Sequence, residues 1–310
     1  MKRKGMRMDH RQTLKIGIIG LDTSHAVAFT ELLNDSRHPY HVPGGQVVCA
    51  YPGGSADFPL SISRVGDHAS ALRDRFGVEL TDSPEAVAAR SDAILLESAD
   101  GRVHPEQFRR VASYGKPVFI DKPLAVSSRD ADEIFRLAEA YRVPVMSCSS
   151  LRYAEGLTRA LADADLGDVF GADGYGPMPL EPTQPGLYWY GIHTVEMLFA
   201  ALGPDCRQVK ATTNADHDVV VAEWADGRIG TFRGNRKGNS RFGALLHREK
   251  GTQFVDVYAH PKPYYASLLE KVMAMFLTGK PDVGPAETRR IIRFIEAANE
   301  SRASGNTVIL

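Results

Sequence analysis

Three short segments hold the residues best suited to chemistry. Phe119-Ile120-Asp121-Lys122-Pro123-Leu124-Ala125 places a lysine directly after an apolar run. A lysine at the carboxyl end of a parallel strand faces the crevice where open α/β sheets bind ligands. Pro123 fixes the chain behind it. The plain alternative is a surface lysine in a turn. Tyr188-Trp189-Tyr190-Gly191-Ile192-His193-Thr194-Val195-Glu196 puts His193 and Glu196 three apart, on one helical face. With Tyr188 and Tyr190 this offers a sugar-binding wall beside an imidazole. It equally suits an aromatic interface in which Glu196 fixes the His193 tautomer. Two ligands at that spacing do not make a metal centre, and no metal is expected. The third segment, Gly17-Ile18-Ile19-Gly20-Leu21-Asp22-Thr23-Ser24-His25, sits where a phosphate-binding turn belongs. A GxGxxG turn would need glycine at 20, 22 and 25; only Gly20 is present, with Asp22 and His25 in the other places. The same letters also read as a plain turn in which Asp22 or Thr23 caps a helix.

The elements that must position these residues follow from the pattern. Leu14–Ile19 is a short apolar run ending in Gly20, and Asp22-Thr23-Ser24 then opens a helical spacing of Ala26, Phe29 and Leu33. Strands are predicted at Gln46–Tyr51, Asp92–Glu97, Pro117–Ile120 and Val143–Ser147, with 52–65 as a long loop. Ser83-Pro84 is a cap followed by proline at the first helical position. Ser127-x-x-Asp130 resembles a capping box, and Ile134, Leu137, Ala138 and Tyr141 give that helix an apolar face. Strands alternating with helices predict a doubly wound α/β domain over 1–150. Beyond Arg152 the texture changes. Residues 206–213, 218–225, 228–233, 241–248 and 251–258 read as successive strands, with Asp226-Gly227 and Lys250-Gly251 at hairpin positions. One helix is predicted near 187–202, and two more at Leu268–Thr278 and Thr288–Ala303. The second domain, 151–310, is therefore mostly antiparallel sheet, with last helices that can pack back on the first domain.

Composition bounds the partners. The chain has 310 residues, 43% hydrophobic and 24% charged, which excludes bulk disorder. Its 37 Lys plus Arg nearly balance 38 Asp plus Glu, so no general nucleic-acid or membrane-surface binder is indicated. Cys49, Cys148 and Cys206 are far apart and form no CxxC. They read as reduced thiols in a cytoplasmic protein. The start is basic (Lys2, Arg3, Lys4, Arg7, Arg11) but leads into no signal-peptide core, so a solvated tail is expected.

In order along the chain, these segments resemble the Gfo/Idh/MocA family, the glucose–fructose oxidoreductase and inositol dehydrogenase group. The residues that carry the resemblance are Ile16–Gly20, Asp100–Pro105 with His104, Asp121-Lys122-Pro123-Leu124-Ala125, Arg152-Tyr153, Gly191-Ile192-His193 with Glu196, and Ile295–Gly305. The resemblance implies a Rossmann domain joined to an α/β domain with an open, mostly antiparallel sheet that makes subunit contacts. It implies hydride transfer between NAD or NADP and a sugar, polyol or related hydroxyl compound. Lys122 and His193 would stand by the reacting carbon. Cofactor contacts are expected from Gly20, Leu21, Asp22, Thr23 and Ser24 at the turn. Others are expected from Ser55, from Ser98, Ala99, Asp100 and His104, and from Asp121 and Lys122. Arg152, Tyr188, Tyr190, His193 and Glu196 are the candidate substrate contacts.

Three departures from the family pattern stand out. The glycine turn is altered at Asp22 and His25, Asp121 replaces the usual Glu, and Trp189 replaces an acid four residues before His193. They keep two rivals open: a non-catalytic dinucleotide or sugar sensor, and a lyase or hydrolase that cycles its cofactor without net redox change. The second strand ends Ala50-Tyr51-Pro52-Gly53-Gly54-Ser55, without the acid that holds an NAD ribose. Ser55, the glycine amides and Arg64 there suit a 2′-phosphate, so the lean is to NADP. A homodimer or homotetramer is expected, because an open sheet face needs a cover. If a dinucleotide binds, Asp22 must turn away from its phosphates, most simply by capping the helix.

Overall fold

In a computed structural model, which describes residues 13–310, the chain builds two sheets. The basic tail expected as solvated (Lys2 to Arg11) lies outside the described residues. The first sheet contains β1 (Leu14–Ile19), β2 (Gly45–Tyr51), β3 (Glu79–Leu80), β4 (Ala93–Leu96), β5 (Val118–Ile120) and β6 (Val145–Met146). All pairs are parallel, in the order β3-β2-β1-β4-β5-β6. The connecting helices are α1 (Ser24–Asn34), α2 (Pro59–Phe76), α3 (Pro84–Arg90), α4 (His104–Ala112) and α5 (Ser128–Tyr141).

Sequence decides these boundaries locally. Thr23 caps α1 by accepting from the His25 amide, Ser83 caps α3 and Ser127 caps α5. The segment predicted as loop over 52–65 is helical from Pro59 onward. Proline at the first turn needs no amide partner, and Ala69 and Leu72 bury one face. Tyr141, predicted on the apolar face of α5, is 47% exposed because it is the last residue of the helix, next to the Arg142 cap.

The second sheet contains β7 (Val169–Pro177), β8 (Cys206–Thr213), β9 (His217–Trp224), β10 (Ile229–Asn235), β11 (Gly243–Arg248), β12 (Gly251–Asp256) and β13 (Val308–Ile309). Its order is β12-β11-β7-β10-β9-β8-β13, with only β7–β10 parallel. Strand β7 escaped the sequence reading because Gly171, Gly174 and Gly176 dilute its apolar alternation. Those glycines let the strand approach α7: a Cβ at Gly174 would come within 2.7 Å of Thr194.

Helices α6 (Glu155–Ala162), α7 (Gly191–Leu202), α8 (Tyr264–Thr278) and α9 (Pro285–Ser304) complete the chain. Helix α7 lies on β7 and β10, and α9 on β8. The opposite face of the sheet carries exposed Val221, Leu245 and Phe254. Helix α8 returns to the first sheet. Its Ala266, Leu268, Leu269, Val272 and Met273 share a core with Ile16, Ile18, Phe29 and Leu33. Cys49, Cys148 and Cys206 are free and buried. Among the described residues no helix is long and apolar enough to cross a membrane.

Candidate active site

The carboxyl ends of β1, β4 and β5 converge on a cleft closed from above by the start of α7. Its cavity is about 410 Å³ and is lined by Thr23, Ser24, His25, Ala99, Lys122, Trp189, Tyr190 and His193, among others. Lys122 and His193, predicted 71 positions apart, thus meet in one space. The Lys122–Pro123 peptide bond is cis. The Lys122 ammonium stands 5.5 Å from the centre of the Trp189 ring, within reach of a cation–π attraction. Trp189, noted only as the replacement for an acid, is therefore a cleft wall, and Phe58 packs edge-on against its far side at 5.3 Å.

His193 is oriented by Ser149, whose Oγ lies 2.7 Å from Nδ1. Burial, and then the Lys122 charge, push the imidazole well below its ordinary range. Glu196, predicted to fix that tautomer or to touch substrate, is not bonded to His193 and is not among the cleft-lining residues. It accepts from Arg152 Nε at 2.8 Å, and Arg152 also pairs with Glu287. The Arg152 guanidinium, predicted as a substrate contact, is spent on this carboxylate pair. Tyr188 is also turned away: its hydroxyl donates to the Ile292 carbonyl at 3.2 Å. Tyr190 lines the cleft as expected. Ser149, Phe242, Tyr264 and Tyr265 were missed, since nothing local marks an aromatic or serine brought in by the fold.

The turn after β1 keeps its tight geometry. Gly20 has φ of +92°, and a Cβ there would strike Ser98 Oγ at 2.4 Å. Only glycine fits. Asp22 turns away from the cleft, as a phosphate site requires, but it does not cap α1. Its carboxylate is fully buried, accepting from the Ala99 amide at 3.0 Å and the Ser61 hydroxyl at 2.5 Å. Ser61 in turn accepts from the Ser55 amide at 2.9 Å. The cap falls to Thr23, leaving Thr23 and Ser24 hydroxyls at a helix N-terminus that faces the cleft. That end of a helix favours phosphate, so these residues fit the phosphate-bearing part of a dinucleotide.

The remaining candidates are structural in this conformation. Leu21 is fully buried, and Ser98 donates to Gln107 at 2.9 Å. Asp100 holds Arg102 and accepts from Gln184 at 2.9 Å, while Arg102 also grips Asp57. Burial pushes Asp100 up, but the Arg102 and Gln184 hydrogen bonds outweigh it and bring it down to about 2. His104 is fully buried, with Nε2 at 2.8 Å from the Ser98 carbonyl and Nδ1 at 3.0 Å from that of Pro123. It pins the end of β4 to the Lys122–Pro123 loop and does not line the cleft. Ser55 is buried; Arg64 does reach the cleft.

His25 also reaches the cleft, through its place at the start of α1. Its Nδ1 lies 3.1 Å from Asp121 Oδ2 and 3.8 Å from Glu97 Oε2. Glu97 is fully buried and neither of its oxygens has a hydrogen-bond partner. Burial, reinforced by the Asp121 charge, pushes its carboxyl well above the ordinary range. Glu97 was read only as the last residue of a strand.

A parallel 3-2-1-4-5-6 sheet with a cleft at its carboxyl edge defines a doubly wound nucleotide-binding fold. Residues 14–148 match the Gfo/Idh/MocA family, described as an oxidoreductase family with an NAD-binding Rossmann fold. The match covers less than half of the chain. Inositol 2-dehydrogenase from Cereibacter sphaeroides is 30% identical over 131 residues, which are 41% of this chain. The match spans only 34% of that protein's length. Solved structures extend the likeness in fold over both sheets. GenD2 from gentamicin A biosynthesis, in complex with NAD, superposes with a TM-score of 0.77 at 21% identity, covering 100% of this chain and 99% of that one. Myo-inositol 2-dehydrogenase from Lactobacillus plantarum gives 0.78 at 17% identity, covering 96% and 100%. The α/β architecture with a second, mostly antiparallel sheet is thereby established.

Proposed function

We propose that the chain is an NAD(P)-dependent oxidoreductase acting on a hydroxyl of a sugar, polyol or related compound. The observation that carries this reading is the meeting of Lys122 and His193 across one cleft, beside the hydroxyls at the start of α1. A nicotinamide held in this cleft would supply the acceptor for the hydride leaving the hydroxyl-bearing carbon. His193 stays neutral at physiological pH because burial disfavours its charge. With Nδ1–H donated to Ser149, Nε2 is left to accept the hydroxyl proton. Lys122 hydrogen-bonds the same oxygen and fixes the carbon's place. Trp189 and Tyr190 supply flat apolar faces that suit a sugar ring and exclude water. Such acid–base groups contribute about 10²–10⁴ in rate. Lys122→Ala should therefore lower turnover by about that factor while the protein stays folded, measured by absorbance of the reduced nicotinamide over a sugar and polyol screen. An unchanged rate in the folded variant overturns the reading.

The preference for NADP rests on the missing acid after β2 and on Arg64 at the cleft. A binding titration showing about tenfold or greater preference for NAD would reverse it. A cytoplasmic homodimer or homotetramer fits the reading, with Val221, Leu245 and Phe254 on the sheet face to be covered. A binding protein without turnover is the second reading. It is favoured by Trp189, an apolar cleft wall where the family pattern has an acid. Absence of bound dinucleotide in purified protein, with no binding on titration, would select it.

A further inference from the structure

We propose that His25, Glu97 and Asp121 form a binding site for one divalent cation of the zinc or manganese class, open on the cleft side. One donor atom from each residue lies within 4.8 Å of the others, and the closest pair is 3.1 Å apart. Three elements of the first sheet bring them together: the start of α1, the end of β4 and the end of β5. The decisive feature is Glu97. It is 0% exposed and neither oxygen has a hydrogen-bond partner; His25 Nδ1 also lacks one of good geometry. Buried polar groups without partners are rare and costly.

Glu97 gains no partner from His25, whose Nδ1 is 3.8 Å away, too far for a hydrogen bond. A cation supplies one. Metal–ligand bonds of about 2.0–2.2 Å set neighbouring donors about 3–3.4 Å apart. The donors need move only by roughly an ångström or less to meet that spacing.

The donor chemistry selects the class. One imidazole nitrogen with two carboxylates suits zinc or manganese better than magnesium or calcium, which prefer all-oxygen sites. The His25 ring is held in place by Phe29, stacked at 5.4 Å, and by Tyr265, edge-on at 4.9 Å. Three protein ligands leave coordination positions free, the pattern of sites that also bind a substrate oxygen or water. His25 and Lys122 both line the cleft, so those positions open where the proposed substrate hydroxyl would lie. The site stands independently of the oxidoreductase reading, because its test reads bound metal and not turnover.

The full chain, stripped with EDTA and dialysed, is titrated with Zn²⁺ and with Mn²⁺ by calorimetry, and bound metal is counted after gel filtration. One ion per chain is expected. Glu97→Gln and His25→Ala should each weaken binding by about tenfold or more. His247→Ala removes the more exposed imidazole that lies 2.7 Å from Asp173, and should leave binding unchanged. Co²⁺ absorption of the unaltered protein gives a readout that does not depend on the variants folding: bands of a nitrogen–oxygen site are expected. No stoichiometric ion at micromolar metal overturns the proposal. So does binding that survives Glu97→Gln, or that is lost with His247.

Discussion

Two carboxylates leave the same strand edge three residues apart and meet opposite fates. Asp100, just beyond β4, has its oxygens occupied by Arg102 and Gln184, and Arg102 passes the charge on to Asp57. Glu97, the residue after β4, is equally buried and its carboxylate has no hydrogen-bond partner. The first arrangement is a finished clasp. It ties the loops after β2 and β4 to Gln184, which comes from the segment before α7. The second is an incomplete polyhedron. A buried network with every member satisfied rigidifies a fold, whereas a half-satisfied one costs stability. A protein that keeps the costly one beside its cleft keeps it for a ligand.

Stability measurements can break this contrast. Asp100→Ala should cost about 3 kcal/mol in denaturant unfolding, because it strands the Arg102 and Gln184 donors. A loss below about 1 kcal/mol would mean water replaces the clasp without penalty. Acid should act through the same residue. Its folded pKa, brought down to about 2, lies below the ordinary aspartate range. The stabilisation is therefore complete above about pH 4 and is lost as pH falls toward 2. The loss amounts to about 2 kcal/mol or less, since Arg102 is a third exposed. Unfolding midpoints of the chain and of Asp100→Asn should converge over that window; parallel curves would contradict the assignment. The smallest effect should have the opposite sign. Glu97→Met in metal-free protein should raise stability by about 1 kcal/mol, because it removes an unpaired buried carboxyl at similar volume. A loss of more than about 2 kcal/mol would show that Glu97 has partners after all, and would erase the contrast with Asp100.

Much of this architecture was legible in the sequence, and for physical reasons. The strands β4, β5 and β6 are buried on both faces, so their apolar runs stand out, and Ser83 and Ser127 announce their helices by capping chemistry; the edge strand β3, exposed to half-buried and two residues long, shows no such run. Lys122 and His193 were found because each follows a recognisable local pattern. What failed was whatever depends on distant partners. Asp22 looked like a cap or a repulsive charge, yet Ser61 and Ala99, 39 and 77 positions away, hold it. Arg152 looked free to meet a substrate, yet Glu196 and Glu287, brought in from elsewhere in the chain, hold it. Glu97 carried one signal that was passed over: a lone acid ending an apolar strand is out of place unless something compensates it.

Helix α8 has a consequence for how this chain comes into being. Residues 266–276 complete the layer over Ile16, Ile18 and Phe29, yet they are synthesised after most of the second sheet. As the amino-terminal strands leave the ribosome, one side of their sheet has no lid. At ordinary elongation rates the wait lasts on the order of ten seconds. During that interval the nascent first half exposes an apolar surface that only a later part of the same polypeptide can cover. Chaperone occupancy should therefore fall when residue 276 clears the exit tunnel, and not at the end of the first sheet.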